Sequence, residues 1–146
     1  MRLGVLSAAV AAISIIGGAG AAQAQTGIDL LAQSVQRLQQ RAWGYSYTDY
    51  SVWIGSLSSS QHTDYVFTPS SASYGNLTVV GTCGQCSDLD LRLWDNYERQ
   101  WVTEDVAVDA EPTLSWYPVA GRSYTVRVVM YDCPSNACWF SVAAMR

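Results

Sequence analysis

The segment from Asp88 to Asp95, with the sequence DLDLRLWD, constrains the fold of this chain more than any other. Leucine alternates with polar or aromatic residues along it, and successive side chains of a strand point to opposite faces. The alternation therefore predicts a β-strand whose leucines are buried on one side, while Asp88, Asp90 and Trp94 share the other side.

The chain after Gly44 carries the same signature repeatedly, as short runs of aromatic, β-branched or alternating residues separated by turn residues. Seven or eight short strands in this spacing predict an all-β protein, an antiparallel sandwich or barrel. The predicted strands are 45–57, 61–68, 77–82, 88–95, 101–102, 113–117, 124–131 and 139–144.

The first 24 residues have the pattern of a signal peptide. Arg2 is followed by an apolar, alanine-rich run, and Ala22-Gln23-Ala24 fits the small-x-small sequence after which signal peptidase cuts. A membrane anchor is the alternative interpretation of the run. Cleavage would leave residues 25–146, enough for one domain, with no membrane span and a periplasmic or secreted location.

Residues 25–44 are predicted to form an amphipathic helix preceding a β-sandwich domain at 45–146. Thr26 and Asp29 are suited to the helix start, and Gly44 is suited to its end. We expect the helix to cover an open end of the sandwich; a dimerisation or partner-binding helix is the alternative. The predicted apolar face consists of Ile28, Leu31, Val35, Leu38 and Ala42.

Charge excludes some partners. The chain contains eight arginines, no lysine and twelve acidic residues, and loss of Arg2 with the signal peptide would leave a net charge of −5. Nucleic acids and anionic membranes require a concentrated basic surface. We therefore expect no nucleic acid partner and no binding to anionic lipid.

The four cysteines predict two disulfides, because their number is even and the predicted compartment is oxidising. Local pairs, Cys83 with Cys86 and Cys133 with Cys138, are the preferred connectivity, the second across a hairpin. A crossed pairing or a zinc site remains open as an alternative. A thioredoxin-like role is disfavoured because Cys83-x-x-Cys86 precedes a strand and not a helix.

Three motifs together resemble the bacterial pre-peptidase C-terminal domain, over residues 61–146. They are the DLDLRLWD strand, Asp105 and Asp109 with Pro112, and GRSYTVRV at 121–128. The resemblance implies a jelly-roll-like β-sandwich, found as an appendage of secreted peptidases and in exported proteins without a peptidase. Residues 96–99 depart from the family, which has a glycine in this turn, and the cysteines are not part of its general pattern.

Some members of that family bind calcium, and the residues of this chain suggest where calcium would bind. Asp88, Asp90 and Asp132 offer carboxylate oxygens, which calcium prefers, and they would converge if their strands were neighbours. The alternative is structural: Asp88 caps a turn and Asp90 pairs across the sheet with Arg92 or Arg127.

Catalysis has little basis in the sequence. His62 is the only histidine and lies in a polar run without a nucleophile motif, and Schiff-base chemistry needs a lysine. The acidic residues between Glu104 and Glu111 are typical of a solvated loop, although a carboxylate pair is also how glycosidases work. We therefore predict a protein that is not an enzyme.

Aromatic residues give the remaining functional indication. Trp94 lies opposite the leucines, and Tyr97 and Trp101 follow closely, which predicts a ligand-binding surface for sugars or peptides. The alternative is that the N-terminal helix covers Trp94. The sequence thus favours an exported binding or accessory module for an extracellular polymer or protein, with structural calcium as a hypothesis. The alternative function is an envelope-associated structural protein that self-assembles through its helix.

Overall fold

The structure is a computed structural model, and it describes the backbone of residues 18–44, 52–70 and 75–145. One helix precedes eight strands, so the predicted all-β fold with one N-terminal helix is confirmed. The part of the predicted 45–57 strand at 45–51 lies outside the described residues. The elements are α1 (Gly18–Arg41), β1 (Val52–Leu57), β2 (Gln61–Phe67), β3 (Leu77–Cys83), β4 (Asp88–Asp95), β5 (Gln100–Asp105), β6 (Thr113–Trp116), β7 (Tyr124–Asp132) and β8 (Cys138–Met145).

The strands form two antiparallel four-stranded sheets with the orders β1-β8-β3-β6 and β2-β7-β4-β5. This is the strand order of a jelly roll, in which most consecutive strands lie in opposite sheets. The core lies between the sheets, and the three leucines of β4 are fully buried in it, as the alternation predicted. Its largest fully buried side chains are Phe140, Leu77, Leu89, Leu91, Leu93, Leu114, Met130 and Met145.

Helix α1 packs on the outer side of the first sheet, against β8 and β3, and not over an end of the sandwich as predicted. Leu38 and Ala42 are buried there against Val80, Ala143 and Met145. Strand β3 and most of β8 are therefore buried on both faces. The core covers their inner face and the helix covers their outer face. The molecule consequently has three layers: helix, first sheet and second sheet.

Polar contacts fix the helix on this sheet. The Arg37 side chain donates to the carbonyl of Cys83 at 3.0 Å, and the Thr82 hydroxyl donates to the carbonyl of Ser34 at 2.7 Å. The Arg41 guanidinium donates to the Gly81 carbonyl at 2.9 Å and to that of Glu111 at 2.5 Å. The helix therefore satisfies backbone carbonyls of the strand and loop beneath it.

The start of the helix and its buried side differ from the prediction. The helix begins at Gly18 and runs without a break through the predicted cleavage site, because the alanine-rich segment before Thr26 has high helix propensity. Ile28 is 61% exposed, and Ser34 is fully buried instead, with its hydroxyl donating to the Leu31 carbonyl. Positive φ at Gly44 agrees with the predicted helix end.

Both disulfides have the predicted local connectivity. The Cα atoms are 5.7 Å apart in the pair Cys83–Cys86 and 5.8 Å apart in Cys133–Cys138. The predicted hairpin between the second pair is wrong, however, because β7 and β8 lie in different sheets and the cysteine loop crosses from one to the other. The bridge therefore closes a crossing loop and not a two-strand turn.

Candidate functional site

The outer side of the second sheet carries the predicted aromatic residues. Trp94 on β4 lies opposite Trp101 on β5 and Thr125 on β7, so these three side chains form one row across the strands. The two indole rings meet edge to face, with centroids 5.1 Å apart. Because α1 packs on the first sheet, the alternative in which the helix covers Trp94 is wrong.

A β-bulge places Trp101 in this row. The pairing of β4 with β5 shifts between Leu93 and Trp94, so that Leu93 faces Thr103 while Trp94 faces Trp101 and Val102 has no counterpart. Bulges re-aim side chains in this way. The bulge therefore creates the tryptophan pair, which strict alternation along β5 would not have produced.

A row of four charged residues, two arginines between two acids, lies beside the tryptophans. Its members in strand order are Asp64 on β2, Arg127 on β7, Arg92 on β4 and Glu104 on β5. Arg127 donates two hydrogen bonds to Asp64, from Nε and from Nη2, each 2.8 Å long. Those bonds, followed by the charge of Arg127, hold the pKa of Asp64 below its usual range. The Arg127 guanidinium also lies 5.5 Å from the centre of the Trp101 ring, a cation–π contact.

These residues enclose a shallow depression of about 390 Å³ lined by Asp64, Trp94, Asn96, Trp101, Thr125 and Arg127, which we call the aromatic–arginine face. Trp101 is 43% exposed, whereas Trp94 is half-buried beside it. Asn96 is held by two side chains: its amide donates to the Ser123 hydroxyl at 2.9 Å and its carbonyl oxygen accepts from Thr125 at 3.0 Å. The sequence did not indicate that Asp64, Asn96, Thr125 and Arg127 line this surface. Three of them lie on β2 and β7, which are distant from β4 in sequence.

Tyr97 lies at the end of the sheet, in the turn between β4 and β5. It is 73% exposed, and the Arg122 guanidinium lies 4.6 Å from the centre of its ring. The buried Asp95 carboxylate organises this turn by accepting hydrogen bonds from the amides of Tyr97 and Glu98, at 2.8 and 3.0 Å. A second depression of about 560 Å³ is lined here by Asn96, Tyr97, Val119, Ala120, Gly121, Arg122 and Ser123. Asn96 lines both depressions, so the two adjoin at this residue, with Trp94 and Trp101 beside one and Tyr97 beside the other.

The carboxylates predicted to bind calcium are brought together only in part. Asp88 lies directly opposite Asp132, because a second bulge shifts the pairing of β4 with β7, but Asp90 faces Val129. Within residues 18–44, 52–70 and 75–145, no group of three or more His, Cys, Asp or Glu side chains is arranged to hold a metal ion. Calcium binding therefore gains no support from the geometry and stays a prediction, to be tested by melting with calcium and with a chelator.

Of the two arginines predicted as alternative partners of Asp90, Arg127 pairs with Asp64 and Arg92 pairs with Glu104. Asp88 and Asp90 are 8% and 3% exposed, and Oδ1 of Asp88 has no hydrogen-bond partner. Burial, followed by the charges of Asp109 and Asp132, raises the pKa of Asp88. Burial, followed by the charge of Asp88, raises the pKa of Asp90. These two carboxylates therefore weaken the fold when both are ionised.

We expect Asp88→Asn to raise the free energy of unfolding at pH 7 by about 1 kcal/mol, because the new amide is uncharged and can donate to Asp132. The folded-state pKa of Asp88 is raised, so the penalty is complete above that pKa and disappears as the pH falls through it towards about 4. Urea denaturation at several pH values measures this advantage, which should be full at neutral pH and lost in mild acid. Glu111→Gln, at an exposed position, is the control, and an equal gain from it would contradict the prediction.

The buried side of helix α1, as far as the structure describes it, is not available for self-assembly. Leu38 and Ala42 are packed against the chain's own sheet, and Leu30 is also less than a tenth exposed. Exposed Ile28 lies outside this buried side. The geometry therefore favours a packing role for α1. In the described part of the chain, no helix is long and apolar enough to cross a membrane.

Comparison with known proteins gives similarity to solved structures alone. No family model matches the chain, and no curated protein matches it. Among solved structures, the chain is similar to the Aeromonas hydrophila protein PliG, a periplasmic inhibitor of g-type lysozyme, with a TM-score of 0.43 and 12% sequence identity. The match covers 65% of this chain and 83% of that one. At this level of similarity it identifies neither a family nor a ligand, and the resemblance to the pre-peptidase C-terminal domain stays a prediction.

Proposed function

We propose that this protein is an exported, non-catalytic binding module for an extracellular polymer or protein, and that the aromatic–arginine face contacts the ligand. The observation that carries the proposal is the position of α1. The helix covers the outer side of the first sheet, whereas Trp101 on the outer side of the second sheet remains 43% exposed beside Trp94. Exposed tryptophan and arginine are the residues that contribute most to binding at interfaces.

The surroundings of His62 support a non-catalytic role. His62 lies on the exposed side of β2, and its partner on β7 is Val129. The acid nearest to it on the same side of β2 is Asp64, which is hydrogen-bonded to Arg127. A nucleophile and base would have to lie within hydrogen-bond distance of each other. The side chains bordering the aromatic–arginine face are suited to holding a ligand and not to activating one.

We expect Trp101→Ala to weaken ligand binding at least about tenfold, since it removes the most exposed ring of the face. The measurement applies wild type and variant to arrays of polysaccharides, peptides and secreted proteins, and then determines the Kd for each positive probe. Tyr117→Ala is the matched control, because Tyr117 is 78% exposed but lies outside both depressions.

Thermal melting of both variants verifies folding, and neither should destabilise strongly because both side chains are exposed. The proposal fails if Trp101→Ala binds every positive probe as wild type does, or if Tyr117→Ala causes the same loss. A wild-type protein that binds none of the probes on the arrays would also count against it.

A further inference from the structure

We infer that the ligand of the aromatic–arginine face is an uncharged oligosaccharide chain, an inference that rests on the proposed function and names its ligand class. Three features of the surface carry it: the pairing of its charges, the unused hydrogen-bonding capacity of its polar groups, and the succession of aromatic rings. Each constrains the chemistry of the ligand separately.

The charges of the surface are compensated within the chain. Arg127 is held by Asp64 through two bonds, Arg92 lies 3.6 Å from Glu104, and Arg122 lies 2.9 Å from Glu98. A polyanion would have to displace these carboxylates, and a polycation would have to displace the arginines. The surface is therefore complementary to a ligand without net charge.

The polar groups nevertheless retain donors and acceptors. Of the five N–H groups of Arg127, Asp64 accepts two, and each Asp64 oxygen keeps a free lone pair. The Asn96 amide uses one donor and one acceptor site in its bonds with Ser123 and Thr125, so the second N–H and a second lone pair are left for a ligand. Donors thus lie beside acceptors in fixed positions. Neighbouring hydroxyl groups of a sugar, which both donate and accept, match this arrangement.

The position of these groups argues against an extended peptide. Arg127 lies on β7 and Trp94 on β4, and each of these strands has a hydrogen-bonded neighbour on both sides. Peptides that bind sheets pair with the free backbone of an edge strand. Trp101 itself lies on the edge strand β5, but its ring packs against Trp94 and Arg127 of these inner strands, and its exposed part can pack against the C–H face of a sugar.

The length of the surface indicates more than one sugar unit. The depression beside Trp101 has a volume of about 390 Å³, and Asn96 also lines a second one of about 560 Å³ beside Tyr97. Tyr97 supplies a second exposed ring, stacked with Arg122 as Trp101 is with Arg127. A chain of sugars could contact both rings, whereas a single sugar could contact one.

The test is titration with neutral hexasaccharides of three kinds, namely cellohexaose, maltohexaose and N-acetylated chitohexaose, together with the anionic hexamer of galacturonic acid. Calorimetry gives the Kd, and NMR signals of the indole N–H groups locate the contact. We expect at least one neutral hexasaccharide to bind with little dependence on salt between 50 and 500 mM. Its disaccharide should bind at least tenfold more weakly.

Two variants separate the parts of the surface. Trp101→Ala should weaken hexasaccharide binding at least tenfold. Tyr97→Ala should leave the fold intact, because Tyr97 lies in an exposed turn. It should weaken binding of the hexasaccharide but not of the disaccharide. Tyr117→Ala should bind as wild type.

The inference is overturned if none of the neutral hexasaccharides binds, or if the anionic hexamer binds more tightly and loses affinity with salt. If these results accompany a Trp101-dependent peptide, protein or polyanion ligand on the arrays, the ligand class is wrong while the proposed function stands. If Trp101→Ala changes no binding at all, both are wrong.

Discussion

Replacing Asp95 with alanine is expected to lower the free energy of unfolding by about 3 kcal/mol at pH 7. The side chain is 5% exposed, accepts the amides of Tyr97 and Glu98 and pairs with Arg122 at 3.3 Å. Removing it leaves two amides without partners and one arginine with less compensation, and such losses in buried sites reach this magnitude. Urea denaturation measures the difference.

The pH dependence of this loss identifies its cause. Burial alone would raise the pKa of Asp95, but the amides of Glu98 and Tyr97 together with Arg122 outweigh it, and the pKa is lowered. A lowered folded-state pKa contributes stability that is complete above the unfolded value of about 4 and is lost as the pH falls through the folded value. The difference between wild type and Asp95→Ala should therefore shrink below about pH 4.

Asp64→Ala is the control for this experiment. Asp64 also pairs with an arginine, at 2.8 Å, but both side chains are about one third exposed. Exposed ion pairs contribute up to about 1 kcal/mol, so the control should lose far less stability than Asp95→Ala. Equal losses in the two variants would mean that burial of Asp95 does not matter.

Asp95 also connects stability with the proposed site. The turn that it holds carries Tyr97, and its partner Arg122 stacks on the Tyr97 ring. A variant that loosens the turn would therefore disturb the second depression without removing any of its lining side chains. This separates Asp95, which positions the surface, from Trp101, which is proposed to contact the ligand.

The strands could be predicted from the sequence because their information is local. Leucine alternation fixed the bounds and the buried side of the 88–95 strand, and the structure has the same bounds. The connectivity of the cysteines was equally local, since each pair closes a short loop. Side-chain periodicity of two residues is sufficient for such predictions.

The positions of whole elements could not be predicted in this way. Alternation does not indicate which sheet a strand joins, so the sequence predicts a hairpin at 133–138 although this loop crosses between sheets. The alternation of residues also does not predict a β-bulge. Two bulges place Trp101 opposite Trp94 and Asp132 opposite Asp88. The candidate site depends on these long-range pairings, which is why only its aromatic members were found.

The helix shows the same limit. An amphipathic pattern predicts that one side is buried but does not indicate against which surface, and helix α1 covers the first sheet and not Trp94. The buried side also includes Ser34, a polar residue whose backbone carbonyl and hydroxyl are both hydrogen-bonded. A prediction from hydrophobicity alone places Ile28 on the buried side and leaves Ser34 out.

Replacing Leu38 with alanine is expected to cost about 3 kcal/mol, because Leu38 is 2% exposed and fills the space between the helix and Val80, Ala143 and Met145. Urea denaturation measures the loss, and hydrogen exchange should show that the helix amides lose more protection than those of β4 and β7. Ile28→Ala, on the same helix but 61% exposed, should remain within about 0.5 kcal/mol of wild type. If Leu38→Ala were equally neutral, the helix would not be packed on the first sheet in solution. It would then be free to cover the aromatic–arginine face or to contact a second molecule.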